Sequence, residues 1–283
     1  MKLFKYAILS LLLLLISACA TSKIQISKNQ QKIIKKDSAL IAHTFYLIGD
    51  AGNSTLTKNA PALDYLKKHL IKASKKSTLI FLGDNVYETG IPDKQSKNYP
   101  LAKRRIDAQT DVAKLFKGNS IFIPGNHDWY NGLDGLKREE KLVEKALGKN
   151  SFLPENGCPL KKVEISKDIV LIIVDTHWYV TNWDKHPTIN DNCEIKTRTK
   201  FLDEFEGLIK KTRGKTTIIA LHHPMFTNGS HGGKYSLKSH LNPLPILGSM
   251  KNLIRKTSGI TNTDIQNKRF YELRNRLALH WLR

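Results

Sequence analysis

The sequence predicts a layered α/β fold, and three observations support this prediction. The 283-residue chain is 40% hydrophobic and 25% charged, which is typical of a globular protein with one sizeable core or two small ones. Beyond residue 42, short apolar runs alternate with amphipathic helical patterns, as in proteins that cover a sheet with helices. No internal repeat or low-complexity linker interrupts this alternation. The composition excludes a disordered chain, a collagen-like fibre and a disulfide-dense mini-protein.

Residues 1–18 are predicted to form an export signal. Lys2 and Lys5 precede an apolar run, Tyr6–Ile16, that is too short to span a bilayer. The run is followed by Ser17-Ala18-Cys19, and this ending resembles a bacterial lipobox, whose cysteine becomes the lipidated first residue of the mature chain. The alternative is a simple cleaved signal followed by an incidental cysteine.

Residues 19–42 are predicted to be a tether between the lipidated Cys19 and a folded domain. This stretch is polar and rich in lysine, and it shows no sustained hydrophobic period. The several acyl chains of a bacterial lipoprotein hold a membrane far better than one chain does, and the lysines can also contact anionic head groups. We therefore expect a lipid-anchored protein of the bacterial cell envelope, in the outer membrane or facing the periplasm.

Five short apolar runs, rich in β-branched and aromatic residues, are predicted as buried strands. In chain order they are Phe45–Gly49, Thr78–Gly83, Ile121–Pro124, Ile169–Asp175 and Thr217–Leu221. Four helices are predicted from apolar residues at helical spacing. Pro61 suits the start of the first helix, because the first turn leaves backbone N–H groups without partners. The apolar stripes are Leu63, Leu66, Leu70 and Ile71; Ala108, Val112, Leu115 and Phe116; Phe201, Phe205, Leu208 and Ile209; and Phe270, Leu273 and Leu277.

Two cysteines remain once Cys19 is assigned to the lipid anchor. Cys158 and Cys193 form an even pair in a chain predicted to be exported, and each lies in a turn-like context. We predict a disulfide between them. The alternative is that both are buried free thiols.

The chain has 46 Lys and Arg against 25 Asp and Glu, which gives a formal net charge of +21. Such a charge favours anionic partners, namely phosphorylated compounds, nucleic acid or an anionic membrane surface. The lysines are scattered along the whole chain, and no base-reading or aromatic stacking motif accompanies them. We therefore expect no nucleic-acid partner.

Four of the predicted strands end in residues that commonly bind metals. The four motifs are Gly49-Asp50-Ala51-Gly52, Gly83-Asp84-Asn85-Val86-Tyr87, Gly125-Asn126-His127-Asp128 and Leu221-His222-His223-Pro224. In open α/β sheets, sites form beyond the carboxyl ends of the strands, so these four turns are expected to converge. Carboxylate, amide, phenolate and imidazole groups together suit hard or borderline cations. The sequence therefore predicts a metal centre at this edge.

These motifs, in this order, resemble the calcineurin-like metallophosphoesterase superfamily and, within it, the purple-acid-phosphatase-like branch. The general family begins with a GDxH motif, whereas Gly52 stands at its fourth position here. In the purple acid phosphatases that histidine is absent and a GDxxY tyrosine serves instead, and Tyr87 stands at that place. The resemblance runs from Phe45 to His231 and implies an α/β/β/α sandwich over a domain at residues 43–283.

The resemblance also implies two metal ions and a set of ligands. It assigns Asp50 and Tyr87 to the first metal and Asn126 and His222 to the second, with Asp84 bridging both. Iron is implied at the first position, and iron, zinc or manganese at the second. Such ions lower the pKa of a bound water and supply a hydroxide nucleophile.

Three catalytic residues are implied by the same resemblance. His127 would stabilise the phosphoryl group or protonate the leaving oxygen, and Asp128 would orient His127. His231 resembles the substrate-facing histidine of the branch. Plainer interpretations suit two other histidines: His223 supports the ligands or is buried with its hydrogen bonds satisfied, and His177 is a packed turn residue.

The family pattern ends with a GHxH motif that gives one histidine to each metal, and no such motif follows His231. We therefore expect a domain that is incomplete at its C-terminus, by truncation or frameshift, and that lacks its last strands. Each metal would keep three protein ligands, and its binding would weaken.

The most direct functional hypothesis is an acid-phosphatase-like enzyme that hydrolyses phosphate monoesters, on phosphorylated small molecules or phosphoproteins. Within the enzyme class, diesterase or nucleotidase activity is the main competitor. The alternative to an enzyme is a non-catalytic, truncated remnant or a surface protein that binds phosphoryl ligands.

Overall fold

The computed structural model describes residues 41–278. The predicted signal peptide and Cys19 lie outside the described residues, as does the tether up to residue 40. Within the described residues the backbone forms two compact units, residues 41–223 and residues 224–278.

The first sheet contains three parallel strands in chain order. They are β1 (Thr44–Ile48), β2 (Ser77–Phe81) and β3 (Asn119–Phe122). Every residue of the central strand, β2, is buried, and residues 79–81 are the apolar run from which a buried strand was predicted. Ile48 pairs with Phe81, and Phe81 pairs with Phe122, so the three strands end level with one another. The chain therefore leaves all three strands at one edge of the sheet.

The second sheet contains β4 (Leu160–Ser166), β5 (Ile169–Val174) and β6 (Thr216–Leu221). β4 runs antiparallel to β5, and β5 runs parallel to β6, with Val174 opposite Leu221. The sequence did not predict β4, because this edge strand alternates between partly buried and exposed residues and two of its positions are lysines.

Helices cover these sheets within residues 41–223. Their bounds are α1 (Pro61–Leu70), α2 (Tyr99–Ala113), α3 (Gly132–Leu147), α4 (Thr176–Val180) and α5 (Arg198–Lys211). Pro61 occupies the first turn of α1, as predicted. α2 contacts both α1 and α3, and α5 contacts β4. The sequence did not predict α3, because Glu139 and Glu140 lie on its buried face beside the apolar residues.

Buried side chains from both sheets meet in one core. β2 and β3 contribute Ile80 and Ile121, and β5 and β6 contribute Leu171, Ile173 and Ala220. This packing of sheet on sheet, with helices around it, confirms the predicted α/β/β/α sandwich.

Residues 224–278 form α6 (Leu237–Leu241), α7 (Pro245–Ser258) and α8 (Lys268–Ala278). Phe270, Leu273 and Leu277 of α8 are buried, which confirms the predicted stripe. α6 packs closely on α7, because a Cβ atom at Gly248 would lie 2.3 Å from the carbonyl oxygen of His240. None of the helices within residues 41–278 is both long enough and apolar enough to cross a bilayer.

The predicted disulfide between Cys158 and Cys193 is present, with the two Cα atoms 5.4 Å apart. It joins the segment before β4 to the segment before α5 and closes a separation of 35 residues. Both cysteines are therefore unavailable as free thiols in the folded chain.

Candidate metal centre

Two aspartates follow the level ends of β1 and β2, and both have unusual backbone conformations. Asp50 has φ of 56° and Asp84 has φ of 55°, the left-handed region that residues other than glycine seldom adopt. Such strain concentrates at functional sites, where the surrounding structure must hold it. Here the two loops hold each other: Asp50 N–H donates to Gly83 O, and Gly52 N–H donates to Asp84 O, each at 3.1 Å.

Three acceptor atoms meet where β2, β3 and β6 end. Nδ1 of His222 lies 2.8 Å from the carbonyl oxygen of Leu82 and donates a hydrogen bond to it. The other ring nitrogen, Nε2, lies 3.3 Å from Asp84 Oδ1 and 3.3 Å from Asn126 Oδ1. The other end of the Asn126 amide is taken, because Nδ2 donates to Tyr130 Oη at 2.7 Å. A carboxylate oxygen, an amide oxygen and an imidazole nitrogen that converge in this way suit a hard or borderline cation.

Tyr87 and Asp50 form the other half of the predicted ligand set. The Tyr87 hydroxyl donates to Asp50 Oδ1 at 2.5 Å. Burial, this hydrogen bond and the charge of Asp84 all raise the pKa of Tyr87 above its usual value. The phenol of Tyr87 therefore keeps its proton until a metal ion displaces it.

The five residues that the sequence assigns to metals form two contact groups beyond the strand ends. Tyr87 contacts Asp50, and His222 contacts both Asp84 and Asn126. Within the described range, no three His, Cys, Asp or Glu side chains are placed to bind one metal ion by themselves. A metal here would depend on the phenol of Tyr87 and the amide of Asn126 as well as on carboxylate and imidazole groups. That donor set fits a hard or borderline cation.

A comparison with protein families matches residues 43–247 to the family model described as calcineurin-like phosphoesterase. The chain belongs to the calcineurin-like phosphoesterase family. It is therefore a phosphoesterase-type protein, of a family that generally uses divalent metals. No curated protein matches the chain.

The phosphoesterase places His127 beside this edge with a fixed ring. Its Nδ1 lies 2.5 Å from the carbonyl oxygen of Glu88, and its Nε2 lies 3.8 Å from Asp84 Oδ2. The rings of Tyr87 and Tyr130 lie 4.5 and 4.9 Å from the His127 ring. The backbone N–H of His127 donates to Asp84 Oδ1 at 3.0 Å. The ring therefore presents Nε2 to the candidate site.

The sequence predicted that Asp128 orients His127. In the structure, both carboxylate oxygens of Asp128 accept hydrogen bonds from backbone N–H groups of other residues instead. The donors are Gly125 N, at 2.7 Å, and Val86 N, at 3.0 Å. The carbonyl of Glu88 contacts the His127 ring instead. Asp128 is fully buried and links the loop after β2 to the loop after β3, and burial raises its pKa.

His231 belongs to residues 224–278 and lies in a short 3₁₀ turn, Ser230–Gly232. Its Nδ1 is 3.2 Å from Asp264 Oδ1, and its carbonyl accepts from Ile265 N–H at 3.0 Å. Arg255 Nη2 also donates to Asp264 Oδ1, at 2.7 Å. Burial alone would raise the pKa of Asp264, but the hydrogen bond and charge of Arg255 outweigh it and lower that pKa. This carboxylate therefore stays ionised beside His231.

The two histidines with plainer interpretations are both buried. His223 Nδ1 lies 2.6 Å from Thr176 Oγ1. His177 lies in α4, and burial together with the neighbouring His186 lowers its pKa to about 3. A neutral, buried ring agrees with its interpretation as a packed residue.

A buried carboxyl next to this site should make stability depend on pH. Asp175 accepts from Trp129 Nε1 and Trp178 N, yet burial raises its pKa from 3.8 to about 7. Between these two values the folded state holds a proton that the unfolded chain has lost, so the free energy of unfolding should fall as pH rises. Urea unfolding of metal-free protein should show lower stability at pH 8 than at pH 5. Asp175→Asn should reduce that difference, and an unchanged difference would contradict this assignment.

Several supporting residues were not found by sequence reasoning. Tyr130 returns to the site because a turn after Asn126 brings it back, and no local motif marks it. Arg105, from α2, donates to the carbonyl oxygens of Ser54 and Tyr87 and thereby binds the loops after β1 and β2. Such long-range contacts have no signal in a single sequence.

Gly125 is required at this site for a steric reason. A Cβ atom there would lie 2.3 Å from Asp84 Oδ1 and 2.4 Å from Asp84 N. We expect Gly125→Ala to displace Asp84 and to lower metal affinity at least tenfold, measured by calorimetry. Gly207→Ala is the matched control, because a Cβ there meets nothing within 4 Å, and alanine in a helix stabilises by about 0.5–1 kcal/mol relative to glycine. Equal metal affinity in both variants would refute the steric argument.

Proposed function

We propose that this phosphoesterase hydrolyses phosphate monoesters at a dinuclear metal centre of the purple-acid-phosphatase-like kind. The observation that carries the proposal is the convergence of three metal-binding atoms, with His222 Nε2 lying 3.3 Å from both Asp84 Oδ1 and Asn126 Oδ1. Two strained aspartates and a tyrosine lie at the same edge. Such an arrangement costs energy unless a cation occupies it.

The environment of Gly52 supports the branch. A Cβ atom at this position would lie 2.3 Å from the backbone of Asn85, so no histidine can occupy it as the general GDxH motif requires. The Tyr87 hydroxyl instead contacts Asp50, the carboxylate of the first motif. A histidine is excluded at position 52, and Tyr87 supplies the metal-binding group instead. This matches the paired loss of the histidine and gain of the tyrosine in the purple-acid-phosphatase-like branch.

We assign iron to the first position and iron, zinc or manganese to the second. Asp50, Asp84 and Tyr87 would hold the first ion, and Asp84, Asn126 and His222 the second. The raised pKa of Tyr87 means that its proton must be displaced, and a ferric ion is a strong enough Lewis acid to do so. Iron-loaded protein should show a visible tyrosinate-to-iron absorption band that is lost in Tyr87→Phe. Absence of the band in iron-loaded wild type would overturn the assignment of iron.

The bound metals would supply Lewis-acid activation of the phosphoryl group and of a water. The chain's own residues would position the phosphoryl group and protonate the leaving oxygen. With Nδ1 bonded to the carbonyl of Glu88, the His127 ring directs Nε2 toward the phosphoryl group, where its protonated form stabilises charge or protonates the leaving oxygen. By the family resemblance alone, His231 is proposed as a substrate-facing histidine, and within residues 224–278 its ring contacts Asp264.

Turnover of p-nitrophenyl phosphate, after addition of iron, zinc or manganese, tests the function. A diester, bis-p-nitrophenyl phosphate, is the control substrate. We expect hydrolysis of the monoester in preference to the diester. Preference for the diester, or phosphate binding without turnover, would favour the competing functions.

We further propose that the protein is lipid-anchored at Cys19 in a bacterial cell envelope and acts there on phosphorylated small molecules or phosphoproteins. The support is the lipobox-like ending Ser17-Ala18-Cys19 after an apolar run. Metabolic labelling with a fatty acid should mark the wild type and not Cys19→Ala. Equal labelling of both proteins would exclude this anchor.

A further inference from the structure

Helix α7 packs with its polar side inward. The buried residues of this helix are Gly248 and Asn252, and Asn252 Oδ1 accepts a hydrogen bond from Ser239 Oγ of α6 at 2.9 Å. Ser249 makes a second polar contact with α6, 3.1 Å from His240 Nδ1. A helix of a globular protein normally buries its apolar stripe and exposes its polar one. α7 does the reverse.

The outward side of α7 is a continuous apolar stripe. Its five large side chains are each 48–60% exposed: Ile246, Leu247, Met250, Leu253 and Ile254. Their spacing places them on one face of the helix. A contiguous exposed apolar face of this kind marks a protein or membrane contact rather than an ordinary surface.

The stripe adjoins an apolar groove with a basic rim. The cavity has a volume of about 270 Å³ and is lined by Tyr235, Ile246, Met250 and Leu253 together with Lys234 and Lys256. Lys251 lies on the helix between the apolar positions 250 and 253. Lysines beside an apolar face can extend their amines toward a charged layer while their methylene groups stay on the apolar surface.

The charge of residues 224–278 restricts the partner. This stretch contains nine lysines and arginines and two acidic residues, a net charge of +7. A second copy would bring the same positive charge to the contact and be repelled. An anionic lipid surface complements both features, because acyl chains accept the apolar stripe and head groups accept the lysines.

We infer that α7 is a membrane-docking helix that lies on an anionic bilayer with Ile246, Met250 and Leu253 inserted below the head groups. This contact is separate from any lipid at Cys19 and does not depend on the phosphatase activity. It would hold residues 224–278 against the bilayer surface.

Co-sedimentation with vesicles tests the inference. The full chain carrying Cys19→Ala, which removes the acylation site, is mixed with vesicles of phosphatidylglycerol and phosphatidylcholine, or of phosphatidylcholine alone. We expect binding to the anionic vesicles that weakens with salt. M250S/L253S should weaken it at least tenfold, since two exposed apolar side chains leave the lipid. Lys251→Gln with Lys256→Gln should weaken it by a similar factor.

Tyr65→Ser is the matched control, because Tyr65 is an exposed aromatic residue on α1. It should bind vesicles as the Cys19→Ala chain does. Circular dichroism checks that each variant is folded. We expect all of them to fold, because the substituted side chains are exposed. Wild-type-like binding of M250S/L253S, or equal binding to neutral and anionic vesicles, would overturn the inference. A lipid-free dimer that M250S/L253S converts to a monomer would also overturn it, by assigning the stripe to a contact between copies.

Discussion

Replacing Asp84 with asparagine should lower metal affinity and monoester hydrolysis by at least about a hundredfold. Removal of groups that only support metal ligands typically costs 10–100-fold, and Asp84 is assigned to both metal positions. Its Oδ1 accepts from His127 N–H at 3.0 Å and lies 3.3 Å from His222 Nε2. Asparagine keeps the shape and removes the negative charge, so the loss should be one of binding rather than of folding.

The measurement is metal content and calorimetric affinity alongside p-nitrophenyl phosphate turnover. Asp111→Asn is the control, because Asp111 is an exposed carboxylate on α2, paired with Lys114. It should leave both quantities unchanged. Metal binding by Asp84→Asn within a factor of three of the wild type would remove Asp84 from the bridging position.

Loss of the disulfide should produce the largest change in stability. Cys158 and Cys193 are 35 residues apart, and closing a loop of that length stabilises the folded state by about 4 kcal/mol in the chain-entropy model. The Cys158→Ser/Cys193→Ser double variant should therefore melt roughly 8–16 °C below the wild type.

Calorimetry with and without a reductant provides the control. The reductant should lower the melting temperature of the wild type toward that of the double variant and should leave the variant unchanged. Thiol counting on denatured, unreduced protein should find neither cysteine free. A shift below 2 °C would mean that the bridge contributes little to stability.

The strands and the ligand motifs were predictable because their signals are local. The central strand of a parallel sheet is buried on both faces and is therefore mostly apolar, and all five residues of β2 are buried. The polar residues that follow such strands stand out against them, which is why Asp50, Asp84 and Asn126 could be named. β4 and α3 escaped prediction because lysines interrupt β4 and buried glutamates interrupt α3. α7 was also missed, although its apolar residues have helical spacing, and only the structure shows that they face outward.

From the sequence alone, the fold class and the disulfide were predicted, and the structure confirms both. The candidate ligands were named from motifs at strand ends and from the family resemblance that these motifs carry. Only the tertiary structure decided which atoms face each other. The Leu82 carbonyl directs His222 Nε2 toward Asp84, and Glu88 rather than Asp128 holds His127. The contact of His127 with Glu88 joins residues 39 positions apart, and the contact of His222 with Leu82 joins residues 140 positions apart. Their geometry arises because strands of the two packed sheets end on the same side, a property of the packed sheets that no single segment carries.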